Sequence, residues 1–135
     1  MTEPKPHEPP EYGDPLTRPF WDAARRRELV VQRCEACGAH QLYPRPYCIA
    51  CQSDAVAWVP ASGRGFVYAV TTVRIPVQPT LEPPYAVALV ELDEGPRLLG
   101  GVPARCAIGS RVRVAWRERE DAPPLPEFLP DEQEH

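Results

Sequence analysis

Cys34-Glu35-Ala36-Cys37-Gly38 and, after ten residues between the pairs, Cys48-Ile49-Ala50-Cys51 carry the pattern that decides how this chain is built. Each Cys-x2-Cys pair can present two thiolates to one tetrahedral ion, and the hairpin between them closes the four-ligand shell that zinc favours. Gly38 supplies the backbone freedom that a tight knuckle needs. Two disulfides would use the same four residues, but a fifth cysteine, Cys106, and the lack of a secretion signal argue against that pairing. Iron in a rubredoxin-like site is the alternative ion, because four thiolates accept either metal. With four protein ligands no position is left for water or substrate, so the site is read as structural.

Working outward, Leu29-Val30-Val31-Gln32-Arg33 is a β-branched run leading into the first knuckle as a strand leads into a ribbon. Before it a short helix is expected over Phe20 to Glu28, capped by Thr17, with Pro19 in its first turn and Asp22 set to pair with Arg25 and Arg26. Residues 1–15 are proline-rich and acidic and read as a disordered leader. The expected organisation is helix and zinc ribbon over 16–57, an OB-fold over 58–118 and a proline-rich tail over 119–135.

Strand character recurs at Gly65 to Val73, Tyr85 to Leu92, Arg97 to Val102 and Arg111 to Glu118, with a short run at Trp58 to Ala61. Turn-forming stretches separate them. Val112, Val114 and Trp116 alternate with Arg111, Arg113 and Arg117, which gives one buried and one wet face. Tyr85 to Val90 is apolar on both faces and is expected to be central. The whole is mainly β: a short N-terminal helix, a four-cysteine ribbon and a C-terminal five-stranded OB-fold barrel.

The 135 residues include 19 prolines and carry a net charge of −4, which disfavours a dedicated nucleic-acid binder. There is no apolar run of about 18 residues for a membrane span and no basic-then-apolar start, so a cytoplasmic location is expected. No phosphate loop, GxSxG or Cys-His-Asp arrangement is present. His40 reads as an exposed ribbon-loop residue and Cys106 as a buried, inert thiol. No catalytic residue is assigned, and the chain reads as an accessory or binding protein. Arg33, Arg45 and Arg64, the last within Ser62-Gly63-Arg64-Gly65, are candidates for anion contact.

Phe20-Trp21, Leu29 to Gly38, Pro44-Arg45, Trp58, Ser62 to Gly65, Pro84-Tyr85, Val90 to Leu92, Ile108-Gly109 and Leu125 to Pro130 together resemble the family called domain of unknown function 35, the acyl-CoA-associated OB-fold proteins. Ile49 and Gln52 depart from its second knuckle, where proline and glycine are frequent, without removing a ligand. The resemblance implies a structural zinc and a hetero-oligomer with a thiolase-superfamily partner, a thiolase-like aldolase or thiolase. It also implies a role in steroid side-chain degradation and acyl-CoA held at a shared site. Arg45, Arg64 and Tyr85, with Tyr68 and Trp21, would engage the phosphates, adenine and apolar arm of coenzyme A. The tail would dock in extended form on the partner. A single-stranded nucleic-acid binder is the alternative, since OB-folds and zinc ribbons also serve there.

Overall fold

The computed structural model describes residues 13–76 and 82–131. The expected leader 1–15 therefore lies almost wholly outside the described residues, as do positions 132–135. Helix α1, Arg18–Arg25, buries Phe20, Ala23 and Ala24. Its start differs from expectation. Thr17 is itself in the right-handed helical region and makes no side-chain cap. Asp14 does that work: its Oδ1 accepts from the Thr17 amide at 2.9 Å and from the Thr17 hydroxyl at 3.1 Å, while the Asp14 amide donates to Thr17 Oγ1 at 3.2 Å. These bonds, the Thr17 amide foremost, hold the Asp14 carboxyl below its usual pKa.

At the other end Arg27 takes φ 59. Its amide donates to Ala24 O at 2.9 Å and the Glu28 amide to Ala23 O at 3.0 Å, the paired bonds of a Schellman stop. Arg27 also pairs with Glu118, which ties the helix end to a residue 91 positions further along the chain. Arg26 donates to the Asp22 carbonyl oxygen and pairs with Glu28.

Three antiparallel strands make the ribbon: β1 Val30–Cys34 in the centre, β2 His40–Gln41 on one edge and β3 Val56–Pro60 on the other. The expected short strand at 58–61 thus pairs with β1 in the ribbon, Trp58 opposite Gln32, and is not a barrel strand. The five barrel strands are β4 Arg64–Val73, β5 Tyr85–Leu92, β6 Arg97–Val102, β7 Arg111–Arg117 and β8 Leu125–Pro130. They close in the order β4-β5-β6-β8-β7, antiparallel except for β6 against β8. This is an OB-fold barrel.

Residues 125–130 were expected in the tail and form instead the fifth barrel strand. Their prolines do not prevent it. The Asp131 amide donates to Arg111 O at 2.9 Å, so by the two-residue period the amides of odd positions face β7. Pro126 and Pro130 fall at even positions, where the β7 ladder needs no N–H. On the β6 side a single residue pair, Gly101 with Glu127, is bridged. Gly100 lies beside the ring of Phe128, close enough that a Cβ there would stand 2.9 Å from two ring carbons.

Ala86, Ala88, Val90 and Leu92 point inward from β5 and are buried, with Val67, Val112 and Phe128 around them. Phe20, Leu29 and Val31 join the same cluster, so helix, ribbon and barrel share one core. The outward residues of β5 are half-buried, as a central strand with an apolar outer face requires.

Candidate metal centre

Each knuckle is a short turn that folds an amide back onto the carbonyl of its first cysteine. Gly38 N donates to Cys34 O at 2.8 Å, and Gln52 N donates to Cys48 O at 2.7 Å. Both residues lie at positive φ, 81 and 68, so the two turns have the same backbone form although only the first carries glycine. Gln52 accepts the strain that the missing glycine would have removed.

The four sulfurs lie within 4.8 Å of one another, with Cys34 to Cys51 and Cys37 to Cys48 each at 3.6 Å. A tetrahedron built on bonds of about 2.3 Å has edges of about 3.8 Å, so the donor set fits a zinc-sized ion. None of the cysteines is bridged. Backbone amides of Cys37 and Ala36, then the Cys51 and Cys37 thiols, draw the Cys34 pKa down to about 6 against burial. The Cys51 and Ala50 amides lower Cys48 in the same way. For Cys51 the Ser53 amide pulls downward, but burial and its three cysteine neighbours outweigh it and push the thiol up to about 12. Metal-free, the cluster favours thiolate at Cys34 and a retained proton at Cys51, which is how four close thiols share charge.

Two buried glutamines shape the loop between the knuckles. Gln32 on β1 accepts from the Arg45 amide at 3.0 Å and donates to Arg45 O at 3.0 Å. Gln41 on β2 donates to Tyr47 O at 3.1 Å and accepts from the Ile49 amide at 3.1 Å. The sequence reading missed both, for a glutamine inside a β-branched run carries no signal of what it bonds.

The three residues expected to contact a ligand are not brought together. Arg45 is exposed on the ribbon loop. Arg64 opens β4 opposite Arg113 and lies 3.8 Å from Asp131, whereas Tyr85 sits at the far end of the same hairpin, opposite Val73. Tyr85 does line a cleft of about 810 Å³ on the outside of the barrel, with Val87, Gly101, Val102, Arg117 and Glu127. Arg117 and Glu127 form an ion pair at 3.2 Å. Tyr68 is covered by Arg97 at 3.6 Å, and Trp21 packs edge-on against Phe20 with Arg119 at 5.7 Å. Cys106 is buried in the core, as expected.

Residues 21–57 match the family model described as the ChsH2 rubredoxin-like zinc ribbon domain, and residues 58–117 match the ChsH2 C-terminal OB-fold domain. A probable enoyl-CoA hydratase alpha subunit from Thermomonospora curvata is 42% identical over 116 residues, 82% of this chain and 36% of the relative. The 3-oxo-4,17-pregnadiene-20-carboxyl-CoA hydratase alpha subunit of Mycobacterium tuberculosis is 38% identical over 106 residues, 76% of this chain and 34% of the relative. The chain thus spans about a third of the length of these two curated relatives. Among solved structures, a chain of the Ltp2-ChsH2(DUF35) aldolase superposes with a TM-score of 0.80 at 38% identity, covering 87% of this chain and 95% of that one.

Proposed function

We propose, from the premise that this chain belongs to the DUF35 family of joined zinc-ribbon and OB-fold proteins, that it is a non-catalytic subunit supporting a thiolase-like aldolase or thiolase. One observation carries this reading: near full-length likeness, at 38% identity, to a chain of the Ltp2-ChsH2(DUF35) aldolase. The metal centre is in keeping with it. Four cysteines complete a tetrahedral shell, so the ion, taken to be zinc, serves to fold the ribbon and not to activate water. The acyl-CoA would be held at a site shared with the partner; the names of both hydratase relatives support a coenzyme A thioester as the substrate class, and that of the Mycobacterium tuberculosis relative supports a steroid one.

Arg45, Arg64 and Tyr85 remain the residues proposed for that ligand; because they are spread over the surface, they would act at separate points of a long molecule. The alternative of a single-stranded nucleic-acid binder finds less support. Arg111 is paired with Asp93 and Arg117 with Glu127, so the arginine face of β7 is largely offset by carboxylates. Co-expression with the Ltp2 polypeptide of the related aldolase tests the proposal. A stable complex in which aldolase activity appears or rises is expected. A chain that stays alone and leaves the activity of Ltp2 unchanged would sink the reading.

A further inference from the structure

The four thiols of the metal centre differ in a way that holding an ion does not require. Cys34 and Cys48, the first cysteine of each knuckle, are at most 1% exposed, whereas Cys37 and Cys51, the second of each, are exposed. Two close contacts cross from one knuckle to the other: Cys34 Sγ to Cys51 Sγ and Cys37 Sγ to Cys48 Sγ, each at 3.6 Å. Each of these pairs therefore sets an exposed cysteine against a buried one.

Bonds that do not involve the ion also hold the two knuckles side by side. The Cys34 amide donates to Ala39 O at 2.8 Å and the Cys48 amide to Ser53 O at 2.7 Å, which fastens each knuckle to its own turn. Between them Gln32 grips the Arg45 backbone and Gln41 grips the backbone at Tyr47 and Ile49. Both glutamines are at most 6% exposed, so these bonds are shielded from water. A disulfide has an S–S length of about 2.05 Å, which leaves each pair roughly 1.6 Å to close.

We infer that the metal centre is an oxidant-responsive site, in which Cys37 and Cys51 are the points of entry and Cys48 and Cys34 are their respective resolving partners. An accessible thiolate with a second cysteine in reach is the arrangement that converts a peroxide into a disulfide. The Cys51 thiolate attacks one oxygen of hydrogen peroxide, the O–O bond breaks, and hydroxide leaves to be protonated to water, giving a sulfenic acid. The Cys34 thiolate attacks that sulfur, the S–S bond forms, the S–O bond breaks, and a second hydroxide is protonated to water. Two thiolates are thus oxidised by two electrons, the peroxide is reduced to two waters, and solvent supplies two protons. Cys37 and Cys48 react in the same manner. One such disulfide withdraws two of the four ligands and so releases zinc, while it staples the two knuckles together; a dithiol reverses the change.

The zinc-loaded full chain tests this. It is treated with excess hydrogen peroxide, quenched with catalase while part of the zinc is still bound, unfolded, alkylated and digested with chymotrypsin, which cuts after Tyr47 and so parts the knuckles. Zinc release, followed with a chromogenic chelator, should keep step with a disulfide that links the two knuckle peptides. In the singly bridged chain the alkyl label should remain on Cys37 and Cys48 or on Cys34 and Cys51. Dimedone, which traps sulfenic acids, should mark Cys37 and Cys51 and leave Cys34 and Cys48 unmarked. Dithiothreitol with added zinc should restore the metal content, and Cys106→Ala should respond as the wild type does. Any other labelled pair of ligands, such as both cysteines of one knuckle, would overturn the pairing, as would a bridge to Cys106. Zinc retained against excess peroxide, or released with sulfinic acids in place of a disulfide, would overturn the site as a whole.

Discussion

Gln32 and Gln41 stand directly opposite each other on β1 and β2, and Gln41 Nε2 donates to Gln32 Oε1 at 2.8 Å. Through this shared bond two buried amides organise the backbone of the whole loop between the knuckles. The consequence is a stability cost out of proportion to a single polar side chain. Gln32→Ala leaves the Arg45 amide and carbonyl and the Gln41 amide short of partners, and stranded buried groups cost about 1–3 kcal/mol each. Zinc-loaded protein with Gln32→Ala should lose about 3 kcal/mol, or roughly 10 °C in Tm. A melting curve that overlays the wild type would show that the network contributes nothing. Gln32→Glu, which keeps the acceptor for Arg45 N, should fall between the two.

The ribbon is too small to hold its shape by apolar burial alone, and structural zinc supplies apparent folding free energies of about 10–16 kcal/mol in comparable peptides. Cys48→Ser should therefore reduce zinc from one per chain towards none. Because Phe20, Leu29 and Val31 share a core with the barrel, it should also lower solubility and the barrel's own melting temperature. Cys106→Ala, remote from the ligands in sequence and buried in the core, should keep its full zinc content. Equal metal content in the two variants would refute the assignment of ligands.

Proton release on metal uptake follows from the thiol pKa values. Cys34 is lowered from 9.0 to about 6, so its thiolate favours the folded, metal-free ribbon above pH 9 and this contribution is lost as pH falls through about 6. Cys51 is raised to about 12, so its bound proton favours the fold below pH 9 and this is lost as pH rises through about 12. Between pH 7 and 8 zinc uptake should release fewer protons than below pH 6, because Cys34 is already a thiolate in the higher range and has regained its proton in the lower one. Calorimetry in buffers of different ionisation enthalpy measures the count. A count that does not change between pH 8 and pH 5.5 would mean that Cys34 is not lowered.

How far these features could be read from the sequence depends on where each is encoded. The four ligands, the strand feeding them and the strands of the barrel from β4 to β7 are local patterns of spacing and alternation, and they are legible. The pairing of Trp58 with Gln32 is not, since a strand of β-branched residues has no mark telling which neighbour it joins. Leu125–Pro130 was hidden by its own prolines: their meaning depends on which way each missing N–H would point, and only the register with β7 fixes that. Arg45, Arg64 and Tyr85 were grouped by chemistry, but β4 and β5 form one long hairpin that sets Arg64 and Tyr85 at opposite ends. Residue type suggests a ligand, whereas only the strand register says which residues can share it.

That hidden strand leads to the last prediction. Phe128 is fully buried, and it meets the barrel where β6 carries Gly100 and Gly101 in place of side chains. A Cβ at position 100 would lie 2.9 Å from the ring and 3.1 Å from Pro126 O, and neither a buried ring nor a strand carbonyl can yield freely. Gly100→Ala should therefore cost about 1–3 kcal/mol through overpacking. Phe128→Ala should cost about 3–5 kcal/mol through the cavity it leaves. In the pair Gly100→Ala with Phe128→Leu the smaller side chain gives room for the new methyl, so the double variant should be more stable than the sum of the single losses. Urea unfolding of all variants measures this coupling. Strict additivity, or a Phe128→Ala variant as stable as wild type, would return residues 125–130 to the status of a loose tail.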